Sequence, residues 1–141
     1  MYNLNVSDTH MRSALASAQT IAVVGHSDKP HRTSYQIAQY LRAQGYTVFA
    51  VNPTVDTIDG EKSYATLADI PEPVDIVNVF RRSEFLPAIV DDAIAIGAKT
   101  IWTQLEVIDI PARDKALAHN IAVAMDRCIQ VDHARLDVES K

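Results

Sequence analysis

The sequence has few of the features that mark secreted or membrane-spanning proteins. It contains one cysteine, Cys128, so no disulfide can form within the chain, and this is typical of proteins in a reducing compartment. No apolar run approaches the roughly 18 residues that a bilayer-crossing helix needs. The first residues, Met1 to Asn5, lack the basic flank and apolar stretch of a signal peptide. We therefore expect a cytoplasmic protein with no membrane partner.

Positive charge is also scarce. The chain has 13 Lys and Arg residues against 18 Asp and Glu residues, a net charge of −5. This balance argues against sequence-independent binding to DNA or RNA, although it does not exclude an anionic small molecule. A length of 141 residues suits one hydrophobic core better than two. We expect a single domain over residues 1–141 with its core at about residues 20–128.

Catalytic and metal-binding patterns are missing as well. The five histidines are scattered along the chain without the compact spacing of metal ligands. Ser27 follows Gly25 but lacks the G-x-S-x-G pattern of a nucleophile. Because no paired carboxylates or triad order can be recognised either, we predict no metal site and no catalytic residue.

The chain does contain five short apolar runs rich in Val and Ile. They are Thr20–Val24, Thr47–Val51, Val74–Val79, Lys99–Thr103 and Ile121–Met125. Runs without polar alternation are typical of strands that are covered on both faces. Helical patterns separate most of them, so the sequence predicts an α/β fold. We expect a Rossmann-like, doubly wound, mainly parallel five-stranded sheet in a three-layer αβα sandwich, most simply ordered 3-2-1-4-5.

Helix start and stop signals support this alternation. The predicted helices begin after Ser7 or Asp8, at a capping box over Thr33–Gln36 with Gly45 as its end, at Glu84–Ile96 before Gly97, after Asp109, and at Ile129–Leu136. The long link from Asn52 to Pro73 is expected to hold at most a short helix around Thr66–Asp69.

The loop after the first strand has the features of a phosphate site. In a doubly wound sheet, ligands bind beyond the carboxyl ends of the strands. Gly25 permits a tight turn, Ser27 offers a hydroxyl, and the helix from Thr33 directs its free amides towards the loop. Lys29 and Arg32 add cationic donors. The alternative for this loop is a turn without a ligand.

The segment after the third strand, Phe80-Arg81-Arg82, adds two guanidinium groups at the same edge. With Lys29, Arg32 and Arg127 these residues form a basic cluster in an acidic protein, which favours a polyanionic ligand because arginine pairs bidentately with phosphate. The alternative is that Arg82 pairs with Glu84 or with other surface carboxylates.

A nicotinamide dinucleotide site fits the sequence poorly. The fingerprint G-x-G-x-x-G is absent, and the second strand ends in Asn52-Pro53 instead of the acidic residue that holds the NAD ribose. Asn52 and Pro53 either line an adenosine pocket or form a turn.

Six segments in the same order resemble the small bacterial CoA-binding proteins of the succinyl-CoA synthetase-like CoA-binding family. The segments are Ile21–Gly25 with Ser27, Val51–Pro53, Tyr64–Pro71, Val77–Arg82, Trp102–Leu105 and Met125–Cys128. Each segment is weakly specific alone, but together they cover most of the chain, from roughly Thr20 to Cys128.

The resemblance implies a domain similar to the N-terminal domain of the synthetase α-subunit, with CoA or an acyl-CoA lying across the carboxyl ends of the strands. It implies that the first loop holds phosphates, that Asn52 and Pro53 border the nucleotide, and that Trp102 to Gln104 flank the pantetheine arm. The residues expected to bind the cofactor are Gly25, His26, Ser27, Lys29, Arg32, Thr33, Asn52, Pro53, Phe80, Arg81, Arg82, Trp102 and Gln104.

Catalysis does not follow from the resemblance, because the synthetase phosphorylates a histidine of a second domain that these 141 residues do not include. We therefore expect a non-catalytic binding or regulatory module for a nucleotide ligand, with a protein partner that the sequence does not identify. Two alternatives stay open. One is an enzyme that acts on a CoA thioester or nucleotide through His26, His31 or Asp126, and the other is an NAD(H)-binding redox module.

Two side chains near the predicted site have a structural and a functional interpretation. Trp102 either stacks on a ligand or belongs to the core. Cys128 is either a buried, inert thiol or a partner for the CoA thiol in a mixed disulfide.

Overall fold

The computed structural model describes residues 5–141, so the part of the N-terminal prediction that falls on residues 1–4 lies outside the described residues. The α-helices within this range are α1 (Asp8–Ser17), α2 (Thr33–Ala43), α3 (Leu86–Ala95), α4 (Ile110–Ala118) and α5 (Ile129–Arg135). The strands are β1 (Thr20–Val24), β2 (Thr47–Val51), β3 (Thr57–Ile58), β4 (Glu61–Tyr64), β5 (Ile76–Val79), β6 (Thr100–Thr103) and β7 (Ala122–Ala124). Short 3₁₀ turns cover Leu67–Asp69 and Ser83–Phe85.

The strands form one seven-stranded sheet in the order β3-β4-β2-β1-β5-β6-β7. All neighbouring pairs are parallel except β3 and β4, which are antiparallel. Strand β1 lies in the middle with all five residues buried, as expected for a Val- and Ile-rich strand covered on both faces. The Rossmann-like, mainly parallel α/β fold predicted from the sequence is confirmed.

The predicted strand count and strand order are wrong. The link from Asn52 to Pro73 contains the hairpin β3–β4, and β4 pairs in parallel with β2 at the edge of the sheet. Counting β4 as the third parallel strand gives the order 3-2-1-4-5-6, a common Rossmann arrangement. The segment predicted as strand three, which forms β5, therefore lies on the other side of β1. Strand β4 reads Glu-Lys-Ser-Tyr and is short, polar and partly exposed, so it lacks the apolar run that reveals the inner strands.

The hairpin itself has a sequence signal that the prediction missed. Its turn is Asp59-Gly60, and both residues have positive φ angles, 51° and 82°. Positive φ at both central positions defines the type I′ turn, for which Asp-Gly is a favoured pair.

Most helix boundaries agree with the capping signals. Ser7 caps α1 by accepting a hydrogen bond from the His10 amide, and Asp109 caps α4 by accepting one from the Ala112 amide. The capping box predicted at Thr33 is wrong, because Thr33 is already helical and Arg32 holds the N-cap position without a side-chain hydrogen bond. This difference leaves the first amides of α2 without a side-chain cap.

The core consists of two apolar clusters, one on each face of the sheet, which confirms the three-layer architecture. On one face the sheet packs against α1, α2 and α5 through Met11, Leu15, Ile37, Leu41 and Ile129. On the other face it packs against α3 and α4 through Leu86, Val90, Ala112 and Ala116. None of the helices within residues 5–141 is long and apolar enough to cross a membrane.

Candidate functional site

A cleft opens at the carboxyl ends of β1, β2 and β5. Its cavity volume is about 500 Å³, within the range of about 300–1,000 Å³ that is usual for small-molecule sites. It is lined by Gly25, Ser27, Asp28, Lys29, Arg32, Thr33, Ser34, Asn52, Thr54, Val55 and Phe80. The predicted site residues Gly25, Ser27, Lys29, Arg32, Thr33, Asn52 and Phe80 therefore lie together around one cavity.

Gly25 allows the chain to turn sharply into the loop that forms the cleft floor. Its φ angle is +87°, and a Cβ atom there would lie 3.1 Å from Arg81 Cδ and 3.3 Å from the carbonyl carbon and oxygen of Phe80. The Gly25 amide donates to the carbonyl of Val51 at 2.8 Å. Because the backbone angle is strained for other residues and the space for a Cβ atom is tight, glycine is favoured at this position.

Side-chain hydroxyls hold the loop in shape. The Ser27 amide donates to Ser34 Oγ of α2 at 2.9 Å, and the Lys29 amide donates to Ser27 Oγ at 3.0 Å. The loop is thus fixed from the first turn of α2 and from within itself.

The amino end of α2 and two cations face the cleft. Arg32 precedes the helix in extended conformation and provides no side-chain cap, so the first amides of α2 remain as donors with the positive end of the helix dipole. The side chains of Lys29 and Arg32 make no ion pair within residues 5–141. Asp28 is the one acidic residue among the lining side chains. Free amides and unpaired cations at a helix amino end are features that suit an anion.

The opposite wall is built by the end of β2. Asn52 Nδ2 donates to the His26 carbonyl at 2.9 Å, and Asn52 Oδ1 accepts from the amide and hydroxyl of Thr54 at 3.0 and 2.7 Å. Asn52 therefore joins the first loop to the wall that contains Thr54 and Val55. Asn52 therefore forms a turn, which was one of the two alternatives that the sequence left open, and it also lines the cleft.

A second, smaller cavity of about 110 Å³ lies beside the cleft. It is lined by Val24, Val51, Pro53, Ala65, Thr66, Leu67, Arg81, Ile89 and Asp92. The guanidinium of Arg81 lies 4.2 Å from the centre of the Phe85 ring and makes no ion pair among the described residues. Pro53 and Arg81 thus line a cavity with several apolar residues that also includes one carboxylate, that of Asp92.

Several predicted residues lie elsewhere. The rings of His26 and Trp102 are both 0 % exposed, and Trp102 belongs to the core, where its Nε1 donates to Asp132 at 3.3 Å. Neither ring lines the cleft. Gln104 follows β6, is half-buried, and is not among the lining residues of either cavity. The position of Trp102 has a simple reason, because all four residues of β6 are buried and a side chain on either face of the sheet enters the core.

Two arginines of the predicted basic cluster are paired with carboxylates. The Arg82 side chain is 81 % exposed, and its Nε lies 3.3 Å from Glu84, the alternative that the sequence left open. Arg127 makes two hydrogen bonds to the buried Asp132, at 2.7 and 2.8 Å. Arg127 is therefore not part of the cleft, and the prediction of five clustered basic residues is wrong.

Cys128 is half-buried and lies near Arg127. It lines a separate depression with Leu105, Asp126 and Val131. The sequence left a buried, inert thiol as one interpretation of Cys128, and the structure shows a thiol that is only partly buried and packs against the core.

Four cleft residues were missed by the sequence analysis, namely Asp28, Ser34, Thr54 and Val55. The sequence pattern places Ser34 in a capping box, whereas its hydroxyl accepts from the Ser27 amide. Thr54 and Val55 directly follow Asn52-Pro53, so their position after the second strand was an available signal.

Comparisons with known proteins agree with this geometry. The CoA binding domain family matches residues 19–134. The uncharacterized protein YneT of Bacillus subtilis (strain 168) is 38% identical over 130 residues, 92% of this chain and 96% of YneT. The structure of a hypothetical protein from Pyrococcus horikoshii OT3 has a TM-score of 0.90 and 31% identity, covering 96% of this chain and 99% of that one.

One similar protein is an enzyme and is much longer than this chain. The ADP-forming 4-hydroxybutyrate–CoA ligase of Nitrosopumilus maritimus (strain SCM1) is 27% identical over 131 residues, which are 84% of this chain but 19% of the ligase. The similarity therefore concerns one part of the ligase. The chain belongs to the CoA-binding domain family and is homologous to the CoA-binding part of acyl-CoA synthetases.

Proposed function

We propose that this protein binds CoA or an acyl-CoA in the cytoplasm, with ligand phosphates in the cleft, and that it acts as a binding or regulatory module without catalysis of its own. One observation carries the proposal. The uncapped amino end of α2 opens into a cleft of about 500 Å³ beside two cations, Lys29 and Arg32, that no described carboxylate neutralises.

The cleft suits a phosphorylated ligand for electrostatic reasons. CoA carries a diphosphate and a further phosphate on its ribose, so it presents several anionic groups to a binding surface. The amides at Thr33 and Ser34 can donate to phosphate oxygens. Arg32 can donate two parallel hydrogen bonds to one phosphate, and Lys29 supplies a more mobile point charge.

The second cavity extends the site to the less polar part of a nucleotide. Val24, Val51 and Leu67 give it apolar walls, and Pro53, Arg81 and Asp92 also line it. A flat apolar surface beside an arginine suits a purine, because guanidinium groups stack on aromatic rings. We therefore assign the adenosine part of the ligand to this cavity and the phosphates to the cleft.

The candidate acid–base groups are not gathered around the cleft, which supports a non-catalytic role. His26 is buried and hydrogen-bonded on both ring nitrogens. Asp126 accepts a hydrogen bond from the Glu106 amide at 2.6 Å and lies in the separate depression. His31 is exposed and does not line the cleft. General acid–base catalysis needs such groups within hydrogen-bond reach of one reacting atom.

Binding can be tested by a thermal-shift screen against CoA, acetyl-CoA, NAD, NADH and ATP, followed by titration calorimetry. A ligand that binds only the folded state raises the melting temperature by mass action. We expect a saturable shift with CoA or acetyl-CoA and none with NAD or NADH. A shift with NADH that CoA does not reproduce would replace the proposal with the nicotinamide alternative.

Matched arginine variants test the location of the site. Loss of a charged hydrogen bond costs about 1.5–3 kcal/mol, so Arg32→Ala and Arg81→Ala should each weaken CoA binding roughly 10- to 100-fold. Arg82→Ala is the control, because Arg82 pairs with Glu84 at the surface and its loss should change affinity less than about twofold. Equal weakening in all three variants would mean that the arginines act only through net charge, and the cleft assignment would be wrong.

The absence of catalysis needs its own measurement. Purified protein incubated with acetyl-CoA should release no more free thiol than the buffer does, while calorimetry on the same sample shows binding. Thiol release that is lost in His31→Gln or Asp126→Asn would favour the thioester-hydrolysing alternative instead.

A further inference from the structure

His26 follows Gly25 in the loop of the cleft, yet its side chain points into the protein. The ring is 0 % exposed and makes an edge contact with Tyr35 of α2, with ring centres 6.0 Å apart. Its Nδ1 lies 2.8 Å from the Ser27 carbonyl oxygen, and its Nε2 lies 3.1 Å from a terminal nitrogen of Arg42. Both ring nitrogens are therefore engaged, one with the loop and one with α2.

These two contacts determine where the ring proton lies. A guanidinium group has donors only, so Nε2 must accept a hydrogen bond from Arg42. The proton of a neutral ring is then on Nδ1, which donates to the Ser27 carbonyl. His26 is thus a neutral histidine held in the Nδ1–H tautomer by its partner on α2, as is common for histidines whose second nitrogen is fixed by another group.

With the hydrogen bond from the His26 ring, three successive backbone polar groups at His26 and Ser27 are all hydrogen-bonded. The His26 carbonyl accepts from Asn52 Nδ2, the Ser27 amide donates to Ser34 Oγ, and the Ser27 carbonyl accepts from the His26 ring. Each of these three backbone groups is therefore hydrogen-bonded to a different side chain. Ser27 Oγ, held in this way, accepts from the Lys29 amide, so the restraint reaches the part of the loop that lines the cleft.

The surroundings of the ring disfavour a second proton. Burial lowers the pKa of His26, and the charge of Arg42 lowers it further, while the hydrogen bond to Ser27 and the carboxylate of Asp59 act in the opposite direction. Tyr35 is the other titratable group against the ring. Protonation would also place an N–H donor on Nε2 directly opposite the Arg42 donor, which would break that contact.

We propose that His26 is a positioning residue for the anion-binding loop: as the neutral Nδ1–H tautomer it fixes the Ser27 carbonyl, and it holds the loop in its ligand-binding shape without touching the ligand. This role rests on the proposed binding of CoA in the cleft. It differs from the role implied by the family resemblance, in which His26 was expected to contact the cofactor.

Two substitutions separate positioning from simple packing. In His26→Asn the side-chain amide nitrogen occupies nearly the place of Nδ1 and can still donate to Ser27. In His26→Gln the amide lies further out, near the place of Nε2, and the donor to Ser27 is lost. His133→Gln is the control for stability, because His133 is also a buried histidine but packs against Tyr40 and Tyr46, away from the cleft.

The readout is the CoA dissociation constant from calorimetry at pH 7.5, with melting temperatures measured on the same samples. A net loss of one hydrogen bond corresponds to roughly a 3- to 10-fold change. We expect His26→Gln to weaken binding by this factor, His26→Asn to stay within about twofold of the wild type, and His133→Gln to lower the melting temperature without changing affinity. Equal affinities of the Asn and Gln variants would overturn the positioning role.

A second measurement is independent of any ligand. Long-range ¹H–¹⁵N correlation spectra of the free protein distinguish a protonated from an unprotonated ring nitrogen, and we expect the proton of His26 on Nδ1. A proton on Nε2 would overturn the proposal even if CoA binds. If the wild type binds no CoA while the Nδ1–H tautomer is observed, the proposed function fails, and with it the ligand-related part of the role, but not the structural assignment of the ring.

Discussion

Replacing Gly25 by alanine isolates the cost of adding one methyl group at the turn into the cleft. The φ angle of +87° is unfavourable for a residue with a Cβ atom by about 1–2 kcal/mol. The new Cβ would also lie 3.3 Å from the carbonyl atoms of Phe80. Those atoms cannot shift freely, because the Phe80 amide is hydrogen-bonded to Val24 at 2.9 Å.

The structure provides a matched control for this effect. Gly60 in the hairpin turn has a similar φ angle of +82°, but a Cβ atom there would meet nothing within 4 Å. Gly60→Ala should therefore lower the unfolding free energy by the backbone term alone, about 1–2 kcal/mol. Gly25→Ala should cost about 2–5 kcal/mol, since overpacking adds about 1–3 kcal/mol. The smaller entropy of an unfolded alanine chain affects both variants alike.

Urea denaturation followed by circular dichroism measures both variants on one scale, provided that the m-value is unchanged. We also expect Gly25→Ala to weaken CoA binding, whereas Gly60→Ala should leave it near the wild-type value. If the free energy of unfolding fell by the same amount in both variants, the contact with Phe80 would contribute nothing to the cost of Gly25→Ala. The steric argument would then be refuted.

Further predictions concern buried polar groups outside the cleft. Burial lowers the pKa of His133, so the folded state favours its neutral form, and the unfolding free energy should fall as the pH drops from about 6.5 through the lowered folded-state pKa. The pH dependence of stability between pH 7 and 5 should be shallower in His133→Gln than in the wild type, and equal slopes would contradict this assignment. Asp132→Asn should lower the free energy of unfolding by roughly 2 kcal/mol or more. The buried carboxylate accepts from Trp102, Arg127 and Arg135, and hydrogen bonds to charged groups are worth about 1.5–3 kcal/mol each. Asp91→Asn is the control and should lower the free energy of unfolding by less than about 1 kcal/mol, because it removes only an exposed ion pair with Lys115. A similar loss of stability in both variants would show that burial of Asp132 is unimportant.

The inner part of the sheet was predictable because its signal is local. Strands β1, β5 and β6 are buried throughout, so each appears in the sequence as a continuous apolar run. Strand β4 gives no such run, because it lies next to the outermost strand β3 and its first two residues, Glu61 and Lys62, are exposed. Its membership of the sheet depends on the parallel pairing of Ala50 with Ser63 and of Val51 with Tyr64, which no local pattern reveals.

The loop that we propose for the ligand phosphates could be located in the sequence for the same reason. A glycine, a hydroxyl and a helix start occur within nine residues, from Gly25 to Thr33. These neighbouring features together suit an anion without a residue from a distant part of the sequence. The second wall of the cleft was only partly predictable. Asn52 was identified by its place after a strand, but its bond to the His26 carbonyl joins two segments that are 26 residues apart in sequence.

The direction and pairing of individual side chains were decided by the tertiary structure alone. The family resemblance implies a ligand contact for His26 and for Trp102, whose alternative was a place in the core, and both rings face the interior. Arg32 and Arg82 look equivalent in the sequence, yet only Arg82 has a carboxylate within reach.

The sequence by itself therefore determined the fold class, the family and the loop that is suited to phosphates, because these depend on patterns of neighbouring residues. Only the folded chain decided which of the described cations have no ion-pair partner and which histidines are buried. The physical reason is that an ion pair or a hydrogen bond depends on the distance between two side chains in space, and that distance is set by the packing of helices and strands that are far apart in the sequence.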